Sequence, residues 1–317
     1  MKEQTKNTWK FSNLKVLIIG YGSIGQRHFE ILQAMKQVTS IDVVSKQNLT
    51  HTRTFKTLES VPNLQEYDYF VISSQTQSHY ENLKYIVNKV SQKLILVEKP
   101  LYDKTYESFE TDNKIFTAYN LRFHPIITAL HELLKDKTIF CANIICGQYL
   151  PSWRPQRDYR DTYSAKRELG GGVLRDLSHE LDYAMYLFGE IQNLKAISTT
   201  VSDLQINSDD IFRGVGLSQN KVVLNISLDY ISKKPIRQLI IHTKTQTIEA
   251  DLINNKLLSY DVDGKETIHL ENLSIERNHT YEKMHSSILN QQTKSVASFE
   301  DGLKVLALID TITYEEL

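Results

Sequence analysis

The stretch LKVLIIGYGSIGQR at residues 14–27 constrains the fold more than any other part of this 317-residue chain. An apolar, strand-like run ends in Gly20-x-Gly22-x-x-Gly25, and an amphipathic helical pattern follows at once. Glycine permits a tight turn and close backbone approach, while the helix start offers unpaired N–H groups and a positive dipole end to an anion. Between a first strand and a first helix, the pattern predicts a pyrophosphate cradle made by Gly20, Gly22, Ser23, Ile24 and Gly25.

The same rhythm continues for about 120 residues. Strand-like runs at 16–19, 41–44, 69–73, 94–97 and 115–119 alternate with helical patterns at 24–35, 78–90 and 105–111. Short, continuously apolar strands separated by helices predict a parallel sheet covered on both faces, with ligands at the carboxyl ends of its strands. After Arg122 the order changes to a helix at 125–134, a strand at 139–150, a basic and aromatic loop, and a helix opening at GGGVLRDLSHELD. Several strand-like runs then succeed one another between 194 and 270, which predicts an open, mostly antiparallel sheet. Two helical patterns, 281–292 and 299–314, close the chain. The expected fold is α/β, a doubly wound Rossmann domain (14–121) followed by an α+β domain (122–298), with the segment 299–315 packing back on the first.

A chain of this length exceeds what one core ordinarily organises, which agrees with two domains. The net charge of −1 gives no electrostatic footprint for a nucleic-acid or membrane-surface partner. The polar opening segment and the absence of a long apolar run lead us to expect neither a secretory signal nor a membrane span, and a cytoplasmic location. Cys141 and Cys146 lie five apart in one strand, on opposite faces, which argues against a mutual disulfide and for two core residues in a reducing compartment. No His/Cys/Asp/Glu spacing resembles a metal-ligand set.

At the end of the second strand, where an acidic residue would hold a free ribose diol, the chain has Ser45 and Lys46, and Asp42 lies earlier. A hydroxyl and a cation suit a 2′-phosphate better, which favours NADP over NAD. The third strand-helix junction, SSQTQSH, brings Ser74, Thr76 and His79 to the cofactor edge. Thr76 and Ser78 equally suit helix capping, and His79 equally suits a structural role. The fourth strand runs straight into Glu98, Lys99 and Pro100, and proline confines the lysine to extended geometry at the lip of the sheet.

GYGSIGQRH, SSQTQSH, VEKP, AYNLRFHP, GGGVLRDLSHELD and DGLKVLALID occur in an order, and over a span, that resembles the Gfo/Idh/MocA family of oxidoreductases. The resemblance implies a Rossmann domain, a substrate domain built on an open sheet that often makes oligomer contacts, and NAD(P)-dependent chemistry at a sugar hydroxyl or carbonyl. It also implies a catalytic role for Lys99. A homodimer or homotetramer is expected.

Projected as one helix from Val173 to Phe188, the third region places Asp176, His179, Asp182 and Tyr186 on a polar face within about 120°. Hydride exchange at a C–OH group requires a proton to move at the oxygen, and imidazole does this near neutrality. His179 is accordingly the proton carrier, Asp176 its orienter or a second substrate contact, and Lys99 the donor that stabilises charge on the reacting oxygen. Family members commonly separate the aspartate and histidine by four residues rather than the three found here, which leaves the role of Asp176 less defined. The three glycines are expected to let the backbone pass close to the ligand.

Arg122, Asp182 and the loop residues Trp153, Arg154, Tyr159, Arg160 and Tyr163 are the candidate substrate contacts. Arginine forks and aromatic faces suit an anionic sugar, such as a nucleotide-linked sugar or a sugar acid. The WRPxxDYR-like loop resembles those of oxidoreductases in bacterial surface-sugar assembly, including enzymes of sialic-like nonulosonic acids. The alternative is a catalytically silent, NAD(P)-binding, sugar-responsive regulator of the same fold, against which Lys99 and the Asp176/His179 pair argue.

Overall fold

The computed structural model describes residues 13–315. Its first half alternates strands β1 (Leu14–Ile19), β2 (Val38–Val44), β3 (Thr54–Phe55), β4 (Tyr69–Ile72), β5 (Leu94–Val97) and β6 (Lys114–Thr117) with helices α1 (Ser23–Gln33) and α2 (His79–Val87). These strands form one parallel sheet in the order β3-β2-β1-β4-β5-β6, so successive strands are added on one side of β1 up to β3 and on its other side from β4 onward. Every residue of β4 and β5 is buried, as two covered faces require.

The sequence pattern misses β3 and predicts a helix at 105–111 that does not form: this segment is irregular. Tyr106 and Phe109 lie three apart, as on a helix face, yet they join an aromatic cluster instead. Tyr106 stacks on Tyr80 at 4.0 Å and Phe109 lies 5.7 Å from Phe299, while Thr105 is tied down by the Asp310 carboxylate.

The second half contains α3 (Pro125–Leu134), β7 (Ile139–Gly147), α4 (Val173–Asp176), α5 (His179–Phe188), β8 (Ile191–Thr199), β9 (Ile211–Ser218), β10 (Val223–Asp229), β11 (Ile236–Thr243), β12 (Gln246–Asp251), β13 (Lys256–Asp261), β14 (Glu266–Leu270), α6 (His279–Leu289) and α7 (Phe299–Asp310). Its eight-stranded sheet runs β14-β13-β12-β11-β7-β10-β9-β8 and is antiparallel except between β7 and β10. β9 alternates buried and exposed residues, the mark of a sheet with one covered face. That face packs against Ile127 and Leu130 of α3 and Leu181, Ala184 and Phe188 of α5. Cys146 points into this core, whereas Cys141, expected there too, is only partly buried.

The last two helices do not stay with the second sheet. Tyr281, Met284 and Ile288 of α6 pack with Phe29 and Leu32 of α1 and with Val71, beside the first sheet. α7 divides its apolar surface: Leu306 joins the core around β4 and β5, and Val305, Leu308 and Ile309 join that of the second sheet.

Where the two halves meet, His124 closes the N-terminus of α3, its Nδ1 accepting the Ile126 N–H at 3.2 Å. Burial, reinforced by Arg237 and His279, pushes its pKa down to about 4. Below the ordinary value near 6.5 the unfolded chain takes up a proton that the native imidazole refuses, so native stability falls as pH drops from 6.5 toward 4. This site alone is expected to cost about 2 kcal/mol of stability between pH 7 and pH 5. His124→Asn keeps a capping acceptor that does not titrate and should flatten the dependence. Urea denaturation at the two pH values measures it, and equal slopes for both proteins would show that His124 protonates freely in the fold.

Candidate active site

At the carboxyl edge of the first sheet the three glycines meet three different constraints. Gly20 has φ +97°, and a Cβ there would stand 2.6 Å from the backbone of Ser73 and Ser74. A Cβ on Gly25 would meet the Gly20 carbonyl at 2.2 Å, where the helix crosses the strand. A Cβ on Gly22, by contrast, would meet no atom within 4 Å, and among the described residues no side chain caps the start of α1. The first N–H groups of α1, at Ser23 and Ile24, are thus left without a side-chain acceptor, as an anion-binding helix start requires.

At the ribose edge, Ser45 is buried and its hydroxyl accepts the Gln47 N–H, while Lys46 is exposed at the end of β2. Asp42 is engaged away from this edge, accepting the Tyr67 hydroxyl at 2.6 Å. β3 adds what the sequence pattern passes over. Its register, Val43 to Thr54 and Val44 to Phe55, sets Arg53 and Lys56 beside the end of β2, and Lys56 Nζ donates to the Lys46 and Gln47 carbonyls.

At the third junction Ser74 Oγ accepts from the Asn82 amide. Thr76 opens a short 3-10 turn before α2, and Ser78 precedes that helix without forming a side-chain cap. His79 is completely enclosed. Its Nδ1 lies 3.2 Å from the Pro100 and Leu101 carbonyls and its Nε2 3.1 Å from the Ser74 carbonyl, so it braces two loops and presents no ring nitrogen to the cleft. Glu98 is also turned inward: Oε1 pairs with His28 Nε2 at 2.8 Å and Oε2 accepts the Lys99 N–H at 3.2 Å.

Lys99 reaches across to the second half, donating from Nζ to the Asp176 backbone carbonyl at 2.8 Å. That carbonyl is available because the helix expected over 173–188 is broken. α4 ends at Asp176, α5 restarts at His179, and the last carbonyls of a helix have no intrahelical partner. Nor is the polar face solvated. Asp176 and Asp182 are 4% and 1% exposed.

The break separates the fates of the polar residues. Asp176 Oδ2 accepts the Tyr230 hydroxyl at 2.6 Å, and Tyr163 faces the same carboxylate, whose charge holds that phenol protonated well above its usual range. Asp176 is thus anchored to Tyr230, just after β10, rather than to His179. His179 is packed edge-on against Tyr119 at 5.6 Å, and its Nδ1 is buried with no hydrogen-bond partner among the described residues. Burial, then the Lys99 ammonium and Arg237, push its pKa well below 6.5, so the imidazole is neutral at pH 7. Asp182 instead turns to Arg122, which donates to both carboxylate oxygens and, from Nη1, to Asp301. These two expected substrate contacts occupy one another.

The glycine triplet accommodates protein rather than ligand. A Cβ on Gly171 would stand 2.0 Å from the Tyr163 carbonyl, and Gly172, at φ +120°, admits the Asp209 carboxylate to within 1.9 Å of where its own Cβ would be. Asp209 accepts the Leu174 N–H through Oδ2 and the Val173 N–H through its carbonyl, fixing the start of α4. The sequence reading missed both Asp209 and Tyr230, which reach the site from just before β9 and just after β10.

In the 151–170 loop, Arg160 is paired with Asp158 and donates to Gln205, and the Tyr159 hydroxyl accepts the Gln205 N–H. Trp153 stands edge-on to Tyr230 at 5.2 Å, its indole N–H buried with no hydrogen-bond partner among the described residues. Arg154 and Arg157 line a crevice with Trp153 and Tyr159, and neither guanidinium has an ion-pair partner among the described residues.

A glycine turn at the carboxyl edge of a parallel sheet, with Lys99 at the same edge brought against Asp176 and His179, is the layout of a two-domain, nicotinamide-dependent oxidoreductase. The model of the GFO_IDH_MocA oxidoreductase family, NAD-binding Rossmann fold, matches residues 14–123, and that of the family's C-terminal alpha/beta domain matches residues 145–315. The chain belongs to this family. A Synechocystis protein described as an uncharacterized oxidoreductase is 28% identical over 204 residues, 59% of this chain; the match spans about half (54%) of that relative's length. Among solved structures, a levoglucosan dehydrogenase in complex with NADH and levoglucosan is similar with a TM-score of 0.82 at 17% identity, over 95% of this chain and 96% of that one. The UDP-N-acetylglucosamine 3-dehydrogenase GnnA of Acidithiobacillus ferrooxidans is similar with a TM-score of 0.76 at 18% identity, over the same shares. At these identities the likeness is one of fold.

Because Gly22 has ordinary φ and an added Cβ there would meet nothing within 4 Å, Gly22→Ala should leave the fold intact while placing a methyl where the dinucleotide is expected. Dinucleotide affinity, measured by fluorescence titration, is expected to fall about tenfold or more, equivalent to about 1.4 kcal/mol. An unchanged affinity would place the pyrophosphate elsewhere.

Proposed function

We propose that this protein exchanges hydride between a nicotinamide dinucleotide and a CH–OH or C=O carbon of an anionic sugar. The observation that carries the reading is the convergence of Lys99 Nζ, held at 2.8 Å from the Asp176 carbonyl, with a neutral His179 whose Nδ1 has no partner. The dinucleotide would be held by the glycine turn and the start of α1, and when bound it supplies or accepts the hydride. Lys99 then donates a hydrogen bond to the reacting oxygen and stabilises its developing negative charge. His179 takes the hydroxyl proton in the oxidative direction and returns it in the reductive one. Asp176, fixed by Tyr230, holds the carbonyl that aims Lys99, and its unpaired Oδ1 is a further acceptor for a substrate hydroxyl.

The free guanidinium groups of Arg154 and Arg157 and the unpaired indole N–H of Trp153 support a substrate with a carboxylate or phosphate, such as a nucleotide-linked sugar or a sugar acid of surface-polysaccharide assembly. The similarity to a UDP-N-acetylglucosamine 3-dehydrogenase supports the nucleotide-linked form. Lys46, with Arg53 and Lys56 around it, supports NADP as the preferred dinucleotide. The outer face of the second sheet, which exposes Ile197, Val215 and Val223, supports self-association as a dimer or tetramer.

Lys99→Ala is expected to lower kcat by about 10²–10³-fold and His179→Ala by about 10²-fold or more, with folding and cofactor binding retained. Since the imidazole pKa lies below 6.5, the oxidative rate should hold from pH 8 to pH 6.5 and fall only further into acid; that limb should vanish in His179→Ala. Full turnover of an identified sugar by either variant would overturn the assignment.

NADPH should bind more tightly than NADH, with Lys46→Glu reversing the order. Tighter NADH binding by the unaltered protein would overturn the NADP reading.

A further inference from the structure

Beneath the site lies a chain of hydrogen bonds that the proposed chemistry does not use. From Glu98 it runs to His28 on α1 (Oε1 to Nε2, 2.8 Å), then to His285 on α6 (Nδ1 to Nε2, 2.7 Å), and then to Tyr69 on β4 (Nδ1 to the hydroxyl, 2.9 Å). His28, His285 and Tyr69 have no exposed surface and Glu98 has 8%. Four titratable side chains drawn from four elements are seldom buried together unless each proton has a defined place.

The protons can be counted. With both imidazoles neutral, three hydrogen bonds take three protons: one from the Tyr69 hydroxyl and one from each ring. A neutral imidazole donates from one nitrogen and accepts at the other, so the order propagates. Tyr69 donates to His285 Nδ1, His285 Nε2–H to His28 Nδ1, and His28 Nε2–H to Glu98 Oε1. The chain therefore ends on an ionised carboxylate. The reverse order requires a protonated Glu98 and leaves the tyrosine proton without an acceptor. Because Tyr69 closes the chain inside the protein, a proton entering at Glu98 has no exit. The arrangement is suited to holding Glu98 in place and not to conducting protons.

What Glu98 holds in turn is Lys99, whose backbone N–H it receives on Oε2. We propose that His28, His285 and Tyr69 form an anchor for Glu98, and that His285, arriving from α6, is a positioning residue that sets the placement of Lys99. This rests on the hydride-exchange reading above only in assigning Lys99 its role. It makes the reactive lysine depend on a helix nearly 190 residues further along the chain.

The assigned order distinguishes two substitutions at one position. His285→Gln carries an amide N–H that can replace Nε2–H toward His28, whereas His285→Leu leaves His28 Nδ1 without a donor and frees the ring to reorient. In the intact protein with dinucleotide and sugar, His285→Leu is expected to lower kcat by about tenfold to a hundredfold, the scale of small misplacements of a catalytic group, while KM and dinucleotide affinity stay within about threefold. His285→Gln should recover most of kcat.

Competitive acylation of Lys99 with acetic anhydride, read by mass spectrometry, gives a measure independent of turnover. Its rate should change in the Leu variant and return in the Gln variant. Equal kcat and equal Lys99 labelling in the Leu variant and the unaltered protein would overturn the proposal. So would losses in Gln and Leu variants that merely track their thermal midpoints. Should His285→Leu not fold, Tyr69→Phe removes only the terminal donor, and unchanged kcat and labelling there would be equally decisive. If the unaltered protein turns over no sugar, the function reading fails, and Lys99 labelling alone still decides the anchor.

Discussion

One charged hydrogen bond, from the Lys99 ammonium to the Asp176 carbonyl, joins the two halves of this molecule at the place where its chemistry would occur. It exists because the helix beginning at Val173 stops after four residues. An uninterrupted helix would direct that carbonyl to an amide four residues on, and a lysine from the first sheet would find no acceptor. A cation at a helix C-terminus is also favoured by the local dipole, so the break both exposes the acceptor and draws the lysine to it. Asp209 fixes one end of that short helix and Tyr230 holds its final carboxylate, so the lysine is aimed by residues that flank strands of the second sheet.

This arrangement gives the aspartate-histidine pair an organisation different from that of a carboxylate orienting an imidazole. Asp176 and His179 lie on opposite sides of the break, and their side chains face different partners. His179 is kept neutral by enclosure and by two nearby cations, without a carboxylate partner to raise its basicity. Arg237, one of those cations, is held by buried Glu180 at 2.7 Å, so the electrostatic setting of the histidine is built in part from β11 of the second sheet.

Much of this was legible in the sequence where the information is local. The glycine turn, the apolar strands and Glu98-Lys99-Pro100 at a strand end each state their structural context within a dozen residues, and the parallel sheet follows from them. Local pattern misled where long-range packing won: Tyr106 and Phe109 at helical spacing serve an aromatic cluster instead, and a regular polar face across 173–188 conceals a break. The glycine triplet advertised a close approach without saying to what, and the answer, Asp209, lies more than 30 residues away. The anchoring roles of Tyr230 and His285 had no local signal, because each is defined only by a partner from another part of the chain.

The return of α6 and α7 to the first sheet makes the nucleotide-binding unit discontinuous in sequence. A fragment ending near residue 121 would retain all six parallel strands yet expose the apolar surface of Phe29, Leu32 and Phe116 that α6 and its neighbours cover, and would leave His28 facing an empty position where His285 belongs. During synthesis the first sheet is made early, but its covering arrives almost last, after the whole second sheet has emerged. The two halves are therefore separable as sheets and inseparable as folding units.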